Sequence, residues 1–317
     1  MTSEPTPSIT LPAFGKVNLG LRVAARRGDG FHELDTLFAT ISLHDDIQVR
    51  FAGEGVHGTT RDDREGRQGE AAPAMDESNL VWRAANAWLG AAQAHEEATG
   101  TPAPRGIELS LIKRLPVAAG LGGGSSDAGA TLRALATLAP GRADLPVIAA
   151  SLGSDVPFFA AGYAAARGRG RGERLTELEL DSRSIVLYNP GVSVPVREAY
   201  QALGGFGPPI DWDELLRAWQ AGETVRLRND LQPGVSGAFT EVRAALATLR
   251  ASGLSSALLS GSGATCFGVA ENDQQARQVA EEISRTHPDA WVQVATVPAT
   301  GTTKSPARPQ NQAQSTP

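Results

Sequence analysis

The 317-residue sequence has a single cysteine, Cys266, and no long run of apolar residues. One cysteine excludes an internal disulfide framework and a thiolate metal cluster, so we expect a protein of the reducing cytoplasm. A membrane-spanning helix needs about 20 consecutive apolar residues, and no stretch approaches that length. Residues 1–8 carry neither a basic region nor an apolar run, so they do not predict a signal peptide.

Positive charge is also scarce. The 29 Lys and Arg residues against 35 Asp and Glu residues give a formal charge of -6, which argues against a broad basic surface for nucleic acid. A small anionic ligand can still be held locally. Hydrophobic residues make up 41% of the chain, enough for a sizeable core, and the length predicts two lobes around a shared cleft.

Three segments lack a periodic pattern. Residues 1–8 and the Thr/Pro/Gln/Ser-rich residues 299–317 predict disorder. Residues 52–76 contain Gly, Arg, Asp and Glu with almost nothing to bury, which predicts a long solvated connection between a strand and a helix. The run of alternating Arg and Gly at 167–172 predicts a solvated turn.

Elsewhere strand-like and helix-like periods alternate. Residues 16–23 predict a half-buried strand, with Lys16 and Asn18 pointing the same way. The other predicted strands are 47–51, 107–112, 184–188, 265–270 and 290–297, and the predicted helices are 79–93, 131–138, 239–252 and 274–286. This mixture without a regular βαβ order favours an α+β fold. A boundary near residues 162–172 would divide it into lobes at 9–165 and 166–298.

The segment PVAAGLGGGSSDA at 116–128 holds four glycines in five positions, between a predicted strand and a predicted helix. Glycines let successive backbone N–H groups converge, and the free N–H groups and dipole of a helix start add to this nest. The arrangement predicts a phosphate site. Ser125 and Ser126 can cap the helix or donate to the same phosphates. Asp127 can favour the helix dipole, repel a phosphate or help to hold a metal ion.

Two common phosphate-binding classes fit this loop poorly. A Walker A loop ends in Gly-Lys-Ser/Thr, whereas this one ends in Gly-Ser-Ser without lysine. A dinucleotide-binding fingerprint needs G-x-G-x-x-G, and Ser125 stands where the third glycine belongs. The loop therefore predicts an anion site of another class.

The same loop resembles the central ATP-binding motif of the galactokinase, homoserine kinase, mevalonate kinase and phosphomevalonate kinase superfamily. Two further motifs of that superfamily follow the expected order, PAFGKVNLG at 12–20 and LSGSGA at 259–264. The resemblance implies a two-lobed fold. An N-terminal ATP-binding lobe and a C-terminal α/β sandwich lobe would enclose the active site in the cleft between them.

One further segment is typical of a single family within this superfamily. RRGDGFHELDTLF at 26–38 resembles the signature of the 4-diphosphocytidyl-2-C-methyl-D-erythritol kinase family. The match continues at 77–80, 113–116, 152–158, 189–195 and 229–231, so it covers nearly the whole chain. It implies phosphorylation of a small-molecule substrate, a cytidine diphosphate methylerythritol, at its tertiary 2-hydroxyl in the non-mevalonate isoprenoid pathway.

The resemblance also implies roles for individual residues. Asp155 is the expected catalytic base, with Lys16 facing and orienting it and Asn18 holding the acceptor. Phe31 is expected to stack on the cytosine ring, while His32 bonds the edge of that ring.

By motif position Tyr200 would be the second stacking ring. ATP with Mg²⁺ is the implied cofactor, without a named protein ligand for the metal. The residues implied for the nucleotide are Asn79, Lys113, Pro116, Val117, Ala118, Ala119, Gly120, Leu121, Gly122, Gly123, Gly124, Ser125 and Ser126.

Three other functions compete with this interpretation. Another kinase of the superfamily is disfavoured by the segment 26–38. A catalytically silent ligand-binding protein is disfavoured because Lys16, Asp155 and the glycine loop are all retained. A dinucleotide oxidoreductase is disfavoured by the missing third glycine.

Overall fold

The computed structural model describes residues 7–64 and 72–300 of the chain. The strands in these ranges are β1 (Ser8–Arg26), β2 (His32–Phe51), β3 (Gly55–Asp62), β4 (Gly106–Lys113), β5 (Ala165–Gly170), β6 (Arg174–Glu177), β7 (Arg183–Asn189), β8 (Arg228–Asn229), β9 (Ser256–Leu259), β10 (Cys266–Val269) and β11 (Trp291–Val297). The helices are α1 (Leu80–Thr99), α2 (Gly123–Leu138), α3 (Leu145–Leu152), α4 (Val156–Ala161), α5 (Val196–Gln201), α6 (Trp212–Gln220), α7 (Gln232–Ala238), α8 (Thr240–Ala251) and α9 (Asp273–Thr286). The predicted α+β class is confirmed.

These strands form two sheets. The seven-stranded sheet has the order β3-β4-β2-β1-β8, with β5 paired to β2 and β6 paired to β5. The four-stranded sheet has the order β11-β7-β10-β9. The long strands β1 and β2 pair antiparallel, while β8 joins β1 in parallel through Gly20↔Arg228 and Leu21↔Asn229. The N-terminal strand is therefore completed by a segment from the second half of the chain.

Strand β1 contributes to three apolar cores. Ala13 packs in the first core, with α1, α2 and β4. Val17 and Leu19 pack in a core between the two sheets, which includes residues of β7 and β10. Leu21 and Val23 belong to the core of the second lobe, with α8 and α9. A shared apolar interface of this kind opposes free relative motion of the lobes.

The prediction that residues 16–23 form a half-buried strand is wrong, because both faces of β1 are buried. Lys16 and Asn18 are 3% and 2% exposed, and Val17 and Leu19 are fully buried. The second sheet covers the apolar side, while the glycine loop covers the polar side. Lys16 and Asn18 do share one side, as predicted.

Helix α1 shows how local signals fix its ends. The Asn79 side chain accepts a hydrogen bond from the Val81 N–H, which satisfies a free donor at the helix start. Gly100 ends the helix in the left-handed conformation at φ 73°. The helix is therefore longer than the predicted 79–93. It buries Ala84 and Trp88 completely against the first sheet and its neighbouring helices.

The prediction of a solvated connection at 52–76 is wrong over its first half. Residues 55–62 form β3, which pairs in parallel with β4 from Gly55↔Gly106 to Asp62↔Lys113. An edge strand needs few apolar side chains, because its backbone ladder and a residue such as Val56 suffice to hold it. Residues 65–71 lie outside the described residues.

The prediction of a turn at 167–172 is also wrong, because residues 165–170 form β5. Arg167 bonds to Asp35 on the neighbouring strand, and Gly168 leaves room for the Phe38 ring, which a Cβ there would approach to 2.7 Å. The predicted lobe boundary at 165/166 falls inside this strand. The chain changes from the first sheet to the second between Glu177 and Arg183.

Both ends that the sequence predicts to be disordered are ordered in part of their predicted ranges. Ser8 is already part of β1, and the Thr300 N–H donates to the Leu180 carbonyl at 2.9 Å. The remaining parts of those predictions, residues 1–6 and 301–317, lie outside the described residues. Over the described ranges, no helix is long and apolar enough to cross a membrane.

Candidate active site

A cavity of about 1310 Å³ lies where β1, the glycine loop and the segment of α5 meet. It brings together segments that are far apart in the sequence. The predicted site residues that line it are Lys16, Asn18, Phe31, His32, Asn79, Lys113, Pro116, Val117, Ala118, Ala119, Gly120, Gly122, Gly123, Gly124, Ser125, Asp155 and Tyr200. Leu121 and Ser126 are buried behind the loop, each 1% exposed.

Leu121 and Ser126 fasten the glycine loop to β1. The Lys16 N–H donates to the Leu121 carbonyl at 2.8 Å, and the Ser126 hydroxyl donates to the Phe14 carbonyl at 2.6 Å. The Ser126 hydroxyl is thus neither a helix cap nor directed at the cleft. Ser125 is the serine of the pair that lines the cavity.

The glycine loop turns sharply before α2. Gly120 and Gly122 have φ values of 78° and 70°, a conformation that residues with a Cβ rarely adopt. A Cβ on Gly122 would also lie 3.0 Å from the Phe159 ring. Helix α2 begins at Gly123, and no described side chain caps its start. Its first backbone N–H groups are therefore left for an anion.

A second glycine loop, residues 259–264, closes on the first. The Ser260 hydroxyl donates to the Gly120 carbonyl at 2.9 Å. The Asn229 amide donates to the Gly261 carbonyl at 2.7 Å and so ties this loop to β8. The three motifs found in the sequence therefore meet at one side of the cleft.

Lys16 is buried beneath the glycine loop and faces Asp155. Its Nζ donates to Asn18 Oδ1 at 2.7 Å and to the Gly120 carbonyl at 3.0 Å. The same atom lies 3.6 Å from Asp155 Oδ2. Burial lowers the pKa of Lys16, and the charge of Asp155 opposes that effect. Two of the three ammonium N–H groups are thus fixed, and one remains for Asp155 or a ligand beside it.

Asp155 precedes α4 at the N-cap position, but its side chain makes no capping bond. Asp144 and Asp211 differ, because they cap α3 and α6 through bonds to backbone N–H groups. The Asp155 side chain stays 30% exposed and lines the cleft. It is placed to meet a ligand instead of stabilising its own helix.

A buried ionic group supports the loop from behind. Lys113 Nζ donates to Asp45 and, at 2.8 Å, to Asp127 Oδ2. Asp45 also accepts the backbone N–H groups of Arg114 and Leu115. Of the three roles open to Asp127 from the sequence, none describes this pairing with Lys113.

Burial raises the pKa of Asp127 to about 8, although Lys113 opposes this. Burial also acts to lower the pKa of Lys113, but the two carboxylates outweigh it and that pKa is raised. Asp127 Oδ1 is buried without a hydrogen-bond partner among the described residues. Sequence reasoning missed Asp45, although two adjacent acids between Leu43 and Ile47 of strand β2 are a signal that a buried charge needs a partner.

The other end of the cleft carries the aromatic residues. The rings of His32 and Tyr200 stack with centroids 4.6 Å apart and planes 21° apart. Phe31 is 49% exposed, and the Arg171 guanidinium lies 4.9 Å from its ring centroid. Burial, with the nearby charge of Arg26, lowers the pKa of His32, which favours a neutral ring. The stacking partner of Tyr200 in this structure is His32.

Asn79 lines the cleft but is also committed to local structure. Its amide accepts from the Val81 N–H and donates to the Ala74 carbonyl, both at 2.9 Å. One amide N–H remains for a ligand.

No group of three or more His, Cys, Asp or Glu side chains that could hold a metal ion occurs within residues 7–64 and 72–300. In phosphoryl-transfer sites Mg²⁺ is held mainly by substrate phosphates, with one or two carboxylates from the protein. Asp155 and the Ser125 hydroxyl both line the cavity. The residues present therefore fit an ion carried in with a nucleotide better than a resident metal centre.

Comparison with known proteins identifies the family. Models of the GHMP kinases N terminal domain and GHMP kinases C terminal match residues 79–163 and 213–289. The 4-diphosphocytidyl-2-C-methyl-D-erythritol kinase of Deinococcus radiodurans is 41% identical, over 94% of this chain and 96% of that protein. The chain belongs to the 4-diphosphocytidyl-2-C-methyl-D-erythritol kinase family. A relative of the same name from Thermus thermophilus is also 41% identical, over 87% of this chain and 92% of its own length.

Solved structures agree with this family assignment. A crystal structure of 4-(cytidine 5'-diphospho)-2C-methyl-D-erythritol kinase has a TM-score of 0.74 and 39% identity, with 90% of this chain and 99% of that chain covered. A homoserine kinase from Cytophaga hutchinsonii has a TM-score of 0.63 at 16% identity and shares the fold, over 94% of this chain and 97% of its own. As a member of the 4-diphosphocytidyl-2-C-methyl-D-erythritol kinase family, the chain is a GHMP kinase that acts on a small molecule. The predicted family, fold and enzyme class are confirmed.

Proposed function

We propose that this chain transfers the γ-phosphoryl group of ATP to the 2-hydroxyl of 4-diphosphocytidyl-2-C-methyl-D-erythritol, giving the 2-phosphate and ADP. The reaction would be a step of the non-mevalonate isoprenoid pathway in the cytoplasm. The observation that carries the proposal is the distance of 3.6 Å between Lys16 Nζ and Asp155 Oδ2, in a cleft shared by the glycine loop and the aromatic residues. The names of the relatives supply the identity of the acceptor.

The nucleotide phosphates would lie on the glycine loop. The unpaired N–H groups at the start of α2 act as fixed donors, so they need no reorientation as charge moves during the reaction. A Mg²⁺ ion carried in with the nucleotide would supply further positive charge, and Ser125 and Asp155 are the residues that would face it. Asn79 and Lys113 also line the cavity, and the N–H groups that their bonds to Ala74, Asp45 and Asp127 leave free would contact the nucleotide.

In the proposed reaction the acceptor oxygen forms a bond to the γ-phosphorus, while the bond to the β-phosphate oxygen breaks. A tertiary hydroxyl is far less acidic than a carboxylic acid with a pKa of about 3.9, so Asp155 cannot hold its proton early. In a loose transition state the proton leaves late, and Asp155 then collects it. Lys16 directs its remaining N–H toward this point and stabilises the negative charge.

The cytidine base would bind at the aromatic end. The Phe31 ring is 49% exposed and is stacked on no other aromatic ring among the described residues, so a flat base can stack on it. A neutral His32 offers one ring donor and one ring acceptor, which suits the edge of cytosine. Stacking of the base on Tyr200 would require the face of that ring now covered by His32, or the opposite face.

ATP consumption with separate acceptors tests the proposed function. The cytidylated methylerythritol should be phosphorylated, while mevalonate and homoserine should give no turnover above background. The uridine analogue of the substrate is the matched control, because its base stacks equally but reverses the donor and acceptor positions of the edge. We expect it to lower kcat/KM by about 100-fold or more. Faster turnover of mevalonate or homoserine would contradict the proposal.

A further inference from the structure

A buried hydroxyl lies behind the pair of Lys16 and Asn18. It belongs to Thr36 of β2, which is 1% exposed and has no role in the motif-based predictions. Thr36 Oγ1 lies 2.6 Å from the Gly20 carbonyl oxygen and 2.8 Å from Asn18 Nδ2. The chain of contacts then continues from Asn18 to Lys16 and from Lys16 to Asp155.

The donor and acceptor capacities of the groups determine the direction of each hydrogen bond in this series of contacts. Two oxygens at 2.6 Å need a hydrogen between them, and the Gly20 carbonyl has none, so the Thr36 hydroxyl donates to it. The threonine oxygen can then only accept, and the Asn18 atom facing it is the amide nitrogen. The other end of that amide is therefore the oxygen, and it faces the Lys16 ammonium, which can only donate.

This orientation of the Asn18 amide matters because a 180° rotation of the amide, which exchanges its oxygen and nitrogen, has little steric cost. In the turned state Asn18 would present its N–H groups to the ammonium and its oxygen to the Thr36 oxygen. Both contacts would be repulsive. The bond from Thr36 to Gly20 thus excludes the turned state without touching Lys16.

We propose that Thr36 is a positioning residue for phosphoryl transfer, which fixes the Asn18 amide with its oxygen toward the Lys16 ammonium. The inference rests on the role of Lys16 given under the proposed function. It extends the site to a side chain that lines the cleft without being needed to touch either substrate.

Loss of the hydroxyl should weaken Lys16 as a cation. Without the Thr36 oxygen, Asn18 is free to turn, and its N–H groups then favour the neutral form of the lysine. Asp155 is the charged group that faces Lys16 among the described residues. The glycine loop contributes the Gly120 carbonyl, and β2 contributes the Phe38 ring at 5.9 Å. When the Asn18 oxygen turns away, the Lys16 ammonium therefore loses an acceptor that none of these groups replaces.

The test compares Thr36→Val, Thr36→Ser and Thr40→Val. Valine keeps the shape of threonine without the hydroxyl, and serine keeps the hydroxyl. Thr40 is the matched control because it lies on the same strand, is 9% exposed and donates to the Ala164 carbonyl at 3.0 Å, without a bond to Asn18. Each variant also has its thermal unfolding measured, so that loss of fold is separated from loss of turnover.

We expect Thr36→Val to lower kcat by about tenfold or more, with KM for ATP within about twofold of wild type. The alkaline side of its pH–rate profile should move to lower pH. Thr36→Ser should restore kcat to within about threefold, and Thr40→Val should keep both kcat and the profile. In an Asn18→Ala background the effect of Thr36→Val should vanish, because the two residues act through one amide.

The inference would be overturned by a Thr36→Val enzyme with the kcat and pH profile of Thr40→Val, by a serine variant no better than valine, or by additive effects with Asn18→Ala. All assays use whichever acceptor the wild-type chain phosphorylates. A wrong acceptor assignment is therefore distinguished from a failure of the Thr36 role.

Discussion

The phosphate end and the aromatic end of the cleft differ in how their side chains are held. At the phosphate end Lys16, Asn18 and Lys113 are only 2–3% exposed, and each is fixed by side-chain or backbone hydrogen bonds. At the aromatic end Phe31 is 49% and Val196 59% exposed. The first region is set before any ligand arrives, whereas the second has room to adjust.

This difference fits the separate tasks of the two ends. Stabilising charge in a transition state requires donors whose orientation has already been fixed, because reorienting them during the reaction costs free energy. Recognition of a base tolerates adjustment, because a ring can slide or turn until it stacks. Substitutions at the phosphate end should therefore change kcat, and substitutions at the aromatic end should change KM for the acceptor.

The largest expected effect is at Asp155. Asp155→Ala should lower kcat by about a thousandfold, because no carboxylate remains to orient the hydroxyl and take its proton. The melting temperature should change little, since this side chain caps no helix. Asp144→Ala is the reverse control: it removes a real cap and should lower the melting temperature by about 2–4 °C while kcat stays unchanged. Near-normal turnover by the Asp155 variant would mean that the base is elsewhere.

The next effect is at Phe31. Phe31→Ala should raise KM for the cytidylated acceptor about 10- to 100-fold, since one stacking ring contributes about 1–3 kcal/mol, and KM for ATP should stay within about twofold. Phe206→Ala removes a ring of similar exposure, 56%, that does not line the cleft and should change neither constant. Equal effects of Phe31→Ala on both KM values would remove the distinction between the two ends.

A pH effect of intermediate size is expected at Asp127. Its pKa of about 8 in the folded chain lies above the ordinary value of about 3.9, so the folded state binds the extra proton between about pH 4 and pH 8. The free energy of unfolding therefore falls as pH rises through that window. Asp127→Asn does not have this loss. Its melting temperature should therefore gain on that of wild type by about 5–10 °C between pH 5 and pH 8, since each pH unit in the window contributes about 1.4 kcal/mol.

Thermal unfolding of both proteins at several pH values checks the Asp127 effect. Asp273→Asn serves as its control, because that carboxylate is 54% exposed and pairs with Arg277 on the helix surface. A constant difference between Asp127→Asn and wild type across the pH range would show that Asp127 is ionised throughout.

The smallest effect is expected at Arg171. Arg171→Ala removes the guanidinium that lies over the Phe31 ring. An exposed cation–π contact of this kind contributes about 0.5–1 kcal/mol to holding the ring in place. KM for the acceptor should rise about two- to fivefold. Arg169→Ala, two residues away on an exposed position of β5, carries the same charge change and should leave KM unaltered. Equal changes in both variants would indicate only a long-range effect of charge.

Local sequence signals predicted the parts of the fold that have a strong period. Helices α8 and α9 and strands β4, β7 and β11 lie close to their predicted ranges, because each carries a clear apolar face. Strand β5 escaped prediction since Arg and Gly alternate along it, and Asp35 and the Phe38 ring on the neighbouring strand β2 explain that pattern. Strand β3 escaped because an edge strand needs little apolar surface.

The candidate site shows the same limit. Motifs were enough to select Lys16, Asp155 and the glycine loop, which the structure brings to one cavity. They could not reveal that the Ser126 hydroxyl points to the Phe14 carbonyl, that Asp45 pairs with Lys113, or that Thr36 accepts a bond from the Asn18 amide. Such roles depend on contacts between segments distant in sequence, and a spacing rule has no access to them.

The parallel pairing of β1 with β8 has a consequence for synthesis. Residues 20–21 leave the ribosome long before their partners at 228–229 exist. At about 5–20 residues per second, the free edge of β1 waits on the order of 10–40 s. The strand that bears Lys16 is thus made before the other described strands and is one of the last to be completed. A nascent chain interrupted before Arg228 cannot assemble the finished strand on which its lysine lies.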